Sequence, residues 1–136
     1  MAIDYGTKRV GIAVTDSLKI IANGLTTVHS KDVLDFLENY FKQEQVDCVV
    51  VGEPKTLMNE ASSVAKHVEV FVKKLKEKFP GMKVERMDER FTSRMAQQTM
   101  LMGGLKKKDR QNKETVDRIS ATIILQSYME LINGRI

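Results

Sequence analysis

The chain has 136 residues, of which 42% are hydrophobic and 29% are charged. This length predicts one domain over residues 1–136, and the composition is typical of a soluble globular protein rather than a disordered or fibrous one. The formal net charge of +4 permits an anionic partner without requiring one. No apolar run reaches the roughly 18 to 20 residues of a membrane span, so we expect no membrane partner.

Cysteine usage and the first residues bear on the cellular compartment. Cys48 is the single cysteine, so an intramolecular disulfide is excluded and a reducing compartment is favoured. The sequence opens directly on a strand-like run, which leaves no room for a signal peptide. We therefore expect a cytoplasmic protein.

The N-terminal third predicts an antiparallel meander of three strands. Two β-type runs, over residues 1–5 and 9–15, are joined by a turn that contains Gly6, as in a hairpin. A third strand is predicted over residues 20–28, with an interruption near Asn23 and Gly24. We expect the first strand to lie in the middle of the sheet.

Helices and strands alternate along the rest of the chain. Apolar residues at helical spacing predict a helix over residues 31–44, with Ser30 as its N-cap. Further elements are predicted as strands over 46–51 and 82–87 and as helices over 61–79, from Thr92 or Ser93 to Gly103, and over 115–132. This order predicts an α/β fold with a mixed five-stranded sheet, made of the meander plus two parallel strands and flanked by helices.

Three carboxylates fall where a site is expected. Ligands in such sheets tend to lie beyond the carboxyl ends of the parallel strands. Asp4 is on the first strand, Glu89 follows the last strand, and Asp117 is in the first turns of the final helix. Ser120 and Ala121 share a helix face with Asp117, and their small side chains would let that helix approach the sheet closely.

A carboxylate in a strand is costly to desolvate unless a cation, a nest of backbone donors or a metal compensates it. Carboxylates within about 4 Å of one another repel by roughly 4 kcal/mol per pair at an effective dielectric near 20. The two further acidic positions favour the metal for Asp4, and oxygen ligands favour Mg²⁺ or Mn²⁺. Two such ions can hold a phosphodiester and activate water for attack.

Four stretches carry a resemblance to a known family. They cover residues 3–14, 50–54, 88–93 and 116–121, in order along nearly the whole chain. The sequence resembles the YqgF family of RNase H-like proteins, also called RuvX, Holliday junction resolvase-like proteins or pre-16S rRNA nucleases. The resemblance implies an RNase H-like fold and a metal-dependent nuclease site. Asp4, Glu89 and Asp117 match the family's acidic triad, and Thr92 matches its conserved hydroxyl position.

Other residues have two readings each. Glu53 stands where many relatives have an apolar residue, so it is either a fourth metal ligand or a solvated turn residue. The basic residues near the triad are either phosphate contacts or a solvated run of charge. The predicted substrate-binding set is Lys8, Arg9, Arg90, Thr92, Lys106, Lys107, Lys108 and Arg110.

Several functions remain open at this point. The leading one is a hydrolase acting on structured RNA, with processing of the pre-16S rRNA 5′ end during ribosome biogenesis implied by the family. Alternatives are an endonuclease of branched DNA and a non-catalytic nucleic-acid-binding factor in ribosome assembly or transcription. A phosphotransferase or ATPase is a further class, because Asp4 to Thr7 resembles the phosphate loop of actin-like proteins, which need two such domains. The sequence does not fix the oligomeric state, which is either a monomer or a homodimer.

Overall fold

The computed structural model describes residues 1–16, 21–53, 64–88 and 113–133. The elements in these ranges are β1 (Ala2–Tyr5), β2 (Arg9–Thr15), β3 (Ala22–His29), α1 (Val33–Gln43), β4 (Cys48–Glu53), α2 (Ala65–Lys78), β5 (Lys83–Asp88) and α3 (Lys113–Asn133). The helix predicted to begin at Thr92 or Ser93 lies outside the described residues. Across the described ranges, no helix combines the length and the apolar composition that crossing a bilayer needs.

The strands form one mixed sheet in the order β3-β2-β1-β4-β5. The three N-terminal strands pair antiparallel, whereas β4 runs parallel to both β1 and β5. This confirms the predicted meander plus two parallel strands, and it is consistent with the RNase H-like α/β arrangement. β1 is the central strand, as expected, so residues near its carboxyl end lie in the middle of the sheet edge.

The sheet has a cluster of buried side chains on each face. On β1, Ile3 belongs to the cluster under α1 and α2, while its neighbour Ala2 belongs to the cluster under α3, because successive side chains point to opposite faces. The α1/α2 cluster contains Met1, Ile3, Val10, Ile12, Val33, Leu37, Val49, Val51, Val68, Phe71, Val72 and Leu75. The α3 cluster contains Ala2, Ala13, Ala22, Val50, Ala121, Ile124 and Leu125.

The start of α1 differs from the prediction. Asp32 occupies the N-cap position without a side-chain cap bond, so the assignment of Ser30 as the cap was wrong. The Ser30 hydroxyl instead donates to the backbone oxygen of Thr7 at 2.6 Å. Its backbone N–H also donates to the Lys8 oxygen at 3.1 Å. Ser30 is therefore used to fix the β1–β2 turn rather than the helix, which fits its position two residues before the cap.

Candidate active site

Asp4 lies near the carboxyl end of the central strand. It is half-buried, and its register partner on β2 is Gly11. By strand alternation, Asp4 and Gly11 share the α3 face with Ala2 and Ala13. The carboxylate is thus placed on the side of the sheet that α3 covers, in the central strand.

Gly11 is the point at which α3 comes closest to the sheet. A Cβ built on Gly11 would lie 2.1 Å from the backbone oxygen of Asp117 and 3.1 Å from its Cβ. No side chain fits there without moving the helix. Ser120 and Ala121, which were predicted to permit a close approach, are 6% and 0% exposed.

This approach brings Asp117 beside Asp4. Cβ positions directly opposite each other on one sheet face lie about 4.5–5.5 Å apart. The Asp117 Cβ is 3.1 Å from the Cβ position of Gly11, so the Asp4 and Asp117 Cβ atoms are no more than about 9 Å apart. From that separation, two carboxyl groups can reach toward one divalent ion, whose Mg²⁺–oxygen distances are about 2.1 Å. Two of the three predicted acids therefore share one location, with the hard oxygen donors that Mg²⁺ and Mn²⁺ prefer.

Arg9 is also held at this place. Its Nε donates to Oδ2 of Asp117 at 2.9 Å, and the two side chains are 37% and 21% exposed. The sequence predicted Arg9 as a phosphate contact. The structure places its guanidinium on a carboxylate of the proposed triad, an arrangement that sequence reasoning missed.

Glu53 ends β4 on the other face of the sheet. It pairs in register with Asp88 at the end of β5. Strand alternation puts Glu53 on the face of Val49 and Val51, which belong to the α1/α2 cluster. Asp4 points to the opposite face, so this register does not bring Glu53 beside Asp4; Glu53 is a half-buried strand residue rather than a turn residue, and its role as a ligand stays a prediction.

The third acid of the predicted triad cannot be placed. β5 ends at Asp88, and Glu89 lies outside the described residues. Within the described ranges, no group of three or more His, Cys, Asp or Glu side chains could hold a metal ion. That finding covers Asp4 and Asp117 without Glu89, so the triad stays a prediction.

The predicted substrate-binding residues are divided in the same way. Lys8 is exposed in the turn after β1, at the sheet edge where the parallel strands end. Arg9, the other described member of the set, begins β2 and contacts Asp117. The remaining members of the set, Arg90, Thr92, Lys106, Lys107, Lys108 and Arg110, lie outside the described residues.

Cys48 lies away from this edge. It begins β4, whereas Asp4 is near the carboxyl end of the parallel strand β1. Burial raises the pKa of the Cys48 thiol, and a hydrogen bond with Tyr128 partly opposes that shift. A protonated thiol at the far end of the strands has no part in the chemistry of the Asp4 edge.

Comparison with known proteins finds relatives that match nearly the whole chain. The family model described as "RuvX: Holliday junction resolvase" matches residues 1–131. A protein of Bacteroides fragilis named "Putative pre-16S rRNA nuclease" is 61% identical over 130 residues, covering 96% of this chain and 94% of the relative. Proteins of the same name from Bacteroides thetaiotaomicron and Christiangramia forsetii are 58% and 57% identical, over 96% and 95% of this chain and 94% and 96% of their own lengths. The chain therefore belongs to the RuvX family.

Proposed function

We propose that this protein is a metal-dependent nuclease that hydrolyses phosphodiester bonds in structured nucleic acid, with the 5′ end of pre-16S rRNA as its substrate. One observation carries the proposal. Because β2 has a glycine opposite Asp4, α3 lies directly on the sheet and brings Asp117 beside Asp4. Two carboxylates this close in space repel each other, and a divalent ion between them would offset that repulsion in addition to Arg9, which pairs with Asp117 in the metal-free protein.

The chemistry follows from the carboxylates. Asp4 and Asp117 would hold Mg²⁺ or Mn²⁺, and Glu89 joins them from its place in the sequence directly after β5. Two such ions, when bound, neutralise the phosphate and lower the pKa of a water molecule. Asp4 keeps its orientation because it belongs to the central strand, and the closely packed helix fixes the backbone of Asp117. We propose direct hydrolysis without a covalent enzyme intermediate, since Cys48 lies at the other end of the sheet.

The basic residues supply substrate affinity in this proposal. Lys8 lies in the turn next to the Asp4 edge, and Arg90, Lys106, Lys107, Lys108 and Arg110 join it from the sequence, with Thr92 as a hydroxyl donor. Contacts to phosphates position a nucleic acid without reading its bases. The names of the relatives favour pre-16S rRNA as substrate, whereas the name of the family model favours branched DNA.

Asp4→Asn tests the function. The variant keeps nearly the same side-chain volume but removes a charge that would hold the cation. Loss of an outer-shell residue of a metal site typically costs 10- to 100-fold, so loss of a direct ligand should reduce cleavage by more than about 100-fold. The melting temperature should stay the same or rise, because carboxylate repulsion is relieved. The matched control is Asp35→Asn. Asp35 is an exposed residue of α1, and this variant should cleave like the wild type.

The wild type, Asp4→Asn and Asp35→Asn should be assayed on a pre-16S 5′-leader RNA and on a four-way DNA junction, across Mg²⁺ and Mn²⁺ titrations. Preferential cleavage of the RNA supports the proposed substrate, and preferential cleavage of the junction supports the DNA alternative. Wild-type binding without metal-dependent cleavage would assign the protein to the non-catalytic class. Equal cleavage by wild type and Asp4→Asn would place the active site elsewhere.

A further inference from the structure

Arg9 contacts the proposed metal site from a well-fixed position. It begins β2, where its backbone oxygen accepts a hydrogen bond from the Gly6 N–H at 3.0 Å. Its register partner on β3 is His29, so it is held on both sides of its strand. The 2.9 Å contact with Oδ2 of Asp117 is therefore made by a side chain whose base is anchored, rather than by a mobile surface arginine.

A guanidinium and a divalent ion compete for this carboxylate. The Asp117 oxygen that accepts from Arg9 is one of the two oxygens through which this carboxylate can bind an ion. An ion bound to the same carboxylate would stand next to the guanidinium, and two cations in contact repel each other. Coordination of the ion through this oxygen thus requires Arg9 to move away, and coordination through the other oxygen is disfavoured by repulsion between the two neighbouring cations.

The Arg9 side chain has room to move away from Asp117. Its side chain is 37% exposed, so a change of rotamer can carry the guanidinium toward solvent without disturbing the core. The planar guanidinium binds phosphate oxygens with two parallel hydrogen bonds, which makes arginine well suited to the anion that a nuclease must hold. The exposed Lys8 precedes it in the same turn.

We propose that Arg9 is a positioning residue: it neutralises Asp117 in the metal-free protein and gives up this carboxylate to the divalent ion, turning to a phosphate of the nucleic acid. This inference rests on the proposed function, because it needs a metal at Asp117. It makes ion binding and nucleic-acid binding cooperative. A phosphate that attracts Arg9 frees Asp117 for the ion, and by linkage the ion frees Arg9 for the phosphate.

The test is the Mn²⁺ affinity of the protein without nucleic acid, measured by titration with detection of free Mn²⁺ by electron paramagnetic resonance. Arg9→Gln removes the competing cation and should bind Mn²⁺ about tenfold more tightly, the equivalent of one charge-assisted hydrogen bond. Arg9→Lys keeps the charge and should bind much as the wild type does. Melting curves recorded on the same samples establish that each variant is folded.

Arg118→Gln is the matched control. Arg118 follows Asp117 on α3, but its Nη2 donates to the Thr115 hydroxyl at 3.3 Å. The same charge is thus removed from the residue that follows Asp117 without breaking a contact of the Asp117 carboxylate. If both glutamine variants tighten Mn²⁺ binding equally, a general field effect explains the result and the proposal for Arg9 is overturned. An Arg9→Gln affinity equal to or weaker than that of the wild type overturns it as well.

Asp4→Asn separates this inference from the proposed function. If Asp4→Asn weakens Mn²⁺ binding and Arg9→Gln leaves it unchanged, the metal site is supported and only the proposed role of Arg9 is rejected. If neither wild type nor Arg9→Gln binds Mn²⁺ in an Asp4-dependent way, the metal site itself fails and both proposals are withdrawn.

Discussion

The two faces of the sheet are built from different kinds of residue. Under α1 and α2, strand residues such as Ile12 and Val51 meet Phe71 and Leu75, and these large side chains are almost fully buried. Under α3, the strands present mainly small residues, chiefly Ala2, Gly11, Ala13 and Ala22. The first face stabilises the fold through buried apolar volume. The second face has smaller side chains, and the backbone of α3 can therefore lie close to Asp4.

This contrast means that stability and chemistry can be disturbed separately. Substitutions on the α1/α2 face should change the free energy of unfolding and spare the candidate site. A substitution at Gly11, where the backbone of Asp117 lies closest, should move Asp117 away from Asp4 even where the cost in stability is small. Three predictions follow this order of expected effect on stability.

Leu75→Ala should have the largest effect on stability. Leu75 is 0% exposed, and truncating a fully buried leucine typically lowers the free energy of unfolding by about 2–5 kcal/mol. Below its melting temperature the variant should keep wild-type Mn²⁺ affinity. Urea unfolding measures the free energy of unfolding. The control is Val70→Ala on the same helix, where the side chain is 53% exposed and the change should stay within about 0.5 kcal/mol. Similar losses in the two variants would contradict the assignment of this face as the main core.

Gly11→Ala should have a smaller effect on stability and a larger one on the site. The added methyl group would lie 2.1 Å from the Asp117 backbone oxygen, so α3 must shift. Overpacking of this kind costs about 1–3 kcal/mol. The displaced Asp117 should lose its share of the metal, and Mn²⁺ binding should weaken strongly.

Gly24→Ala is the control for this change. A methyl group on Gly24 would meet Arg118 Cβ and Thr122 Oγ1 on the same helix at 3.4 Å, which is close to ordinary contact. This variant should retain Mn²⁺ affinity. Equal Mn²⁺ binding by the Gly11 and Gly24 variants would mean that the close approach at Gly11 does not position Asp117.

The smallest effect is expected for an exposed ion pair on the α1/α2 face. Glu38 on α1 accepts from Lys78 on α2 at 2.9 Å, and this contact, followed by Lys42, lowers the pKa of Glu38 below its ordinary value of 4.5. Since the folded-state pKa is below the unfolded one, the stabilisation is present above pH 4.5 and is lost as the pH falls through the folded-state value.

Glu38→Gln should therefore flatten the dependence of stability on pH in the acid range, while Glu77→Gln on α2 keeps the wild-type slope. The measurement is urea unfolding at a series of pH values below 6. The expected difference is small because an exposed pair is well screened by solvent. An identical acid slope in wild type and Glu38→Gln would remove this pair from the account of stability.

Much of the fold could be predicted because its signals are local. Alternating and continuous apolar runs predicted all five strands, and the small Ser120 and Ala121 predicted that α3 packs tightly. The mixed sheet and the central place of β1 were predicted from the order of the elements, whereas the complete strand order was not predicted. The assignment of Asp4 and Asp117 to a site came from the family resemblance together with this topology.

The parts that could not be predicted depend on distant partners. The Arg9–Asp117 pair joins residues 108 positions apart, and no local pattern reveals it. Gly11 carried a local signal, since a glycine inside a strand often marks a close backbone approach, but only the register shows that α3 is what approaches. The sheet face on which Glu53 lies could not be predicted for the same reason, because it depends on the register between β4 and β1.

The distance in sequence between Asp4 and Asp117 also has a consequence for timing. Chains fold from the N-terminus during synthesis, so the β1–β2–β3 meander can form while later segments are still being made. α3 is translated after all five strands, and Asp4 has no neighbouring Asp117 until then. A nascent chain without α3 thus lacks one of the three acids of the candidate site. The two carboxylates can therefore meet only after α3 has been synthesised, so metal binding that needs both of them begins later than the pairing of the N-terminal strands.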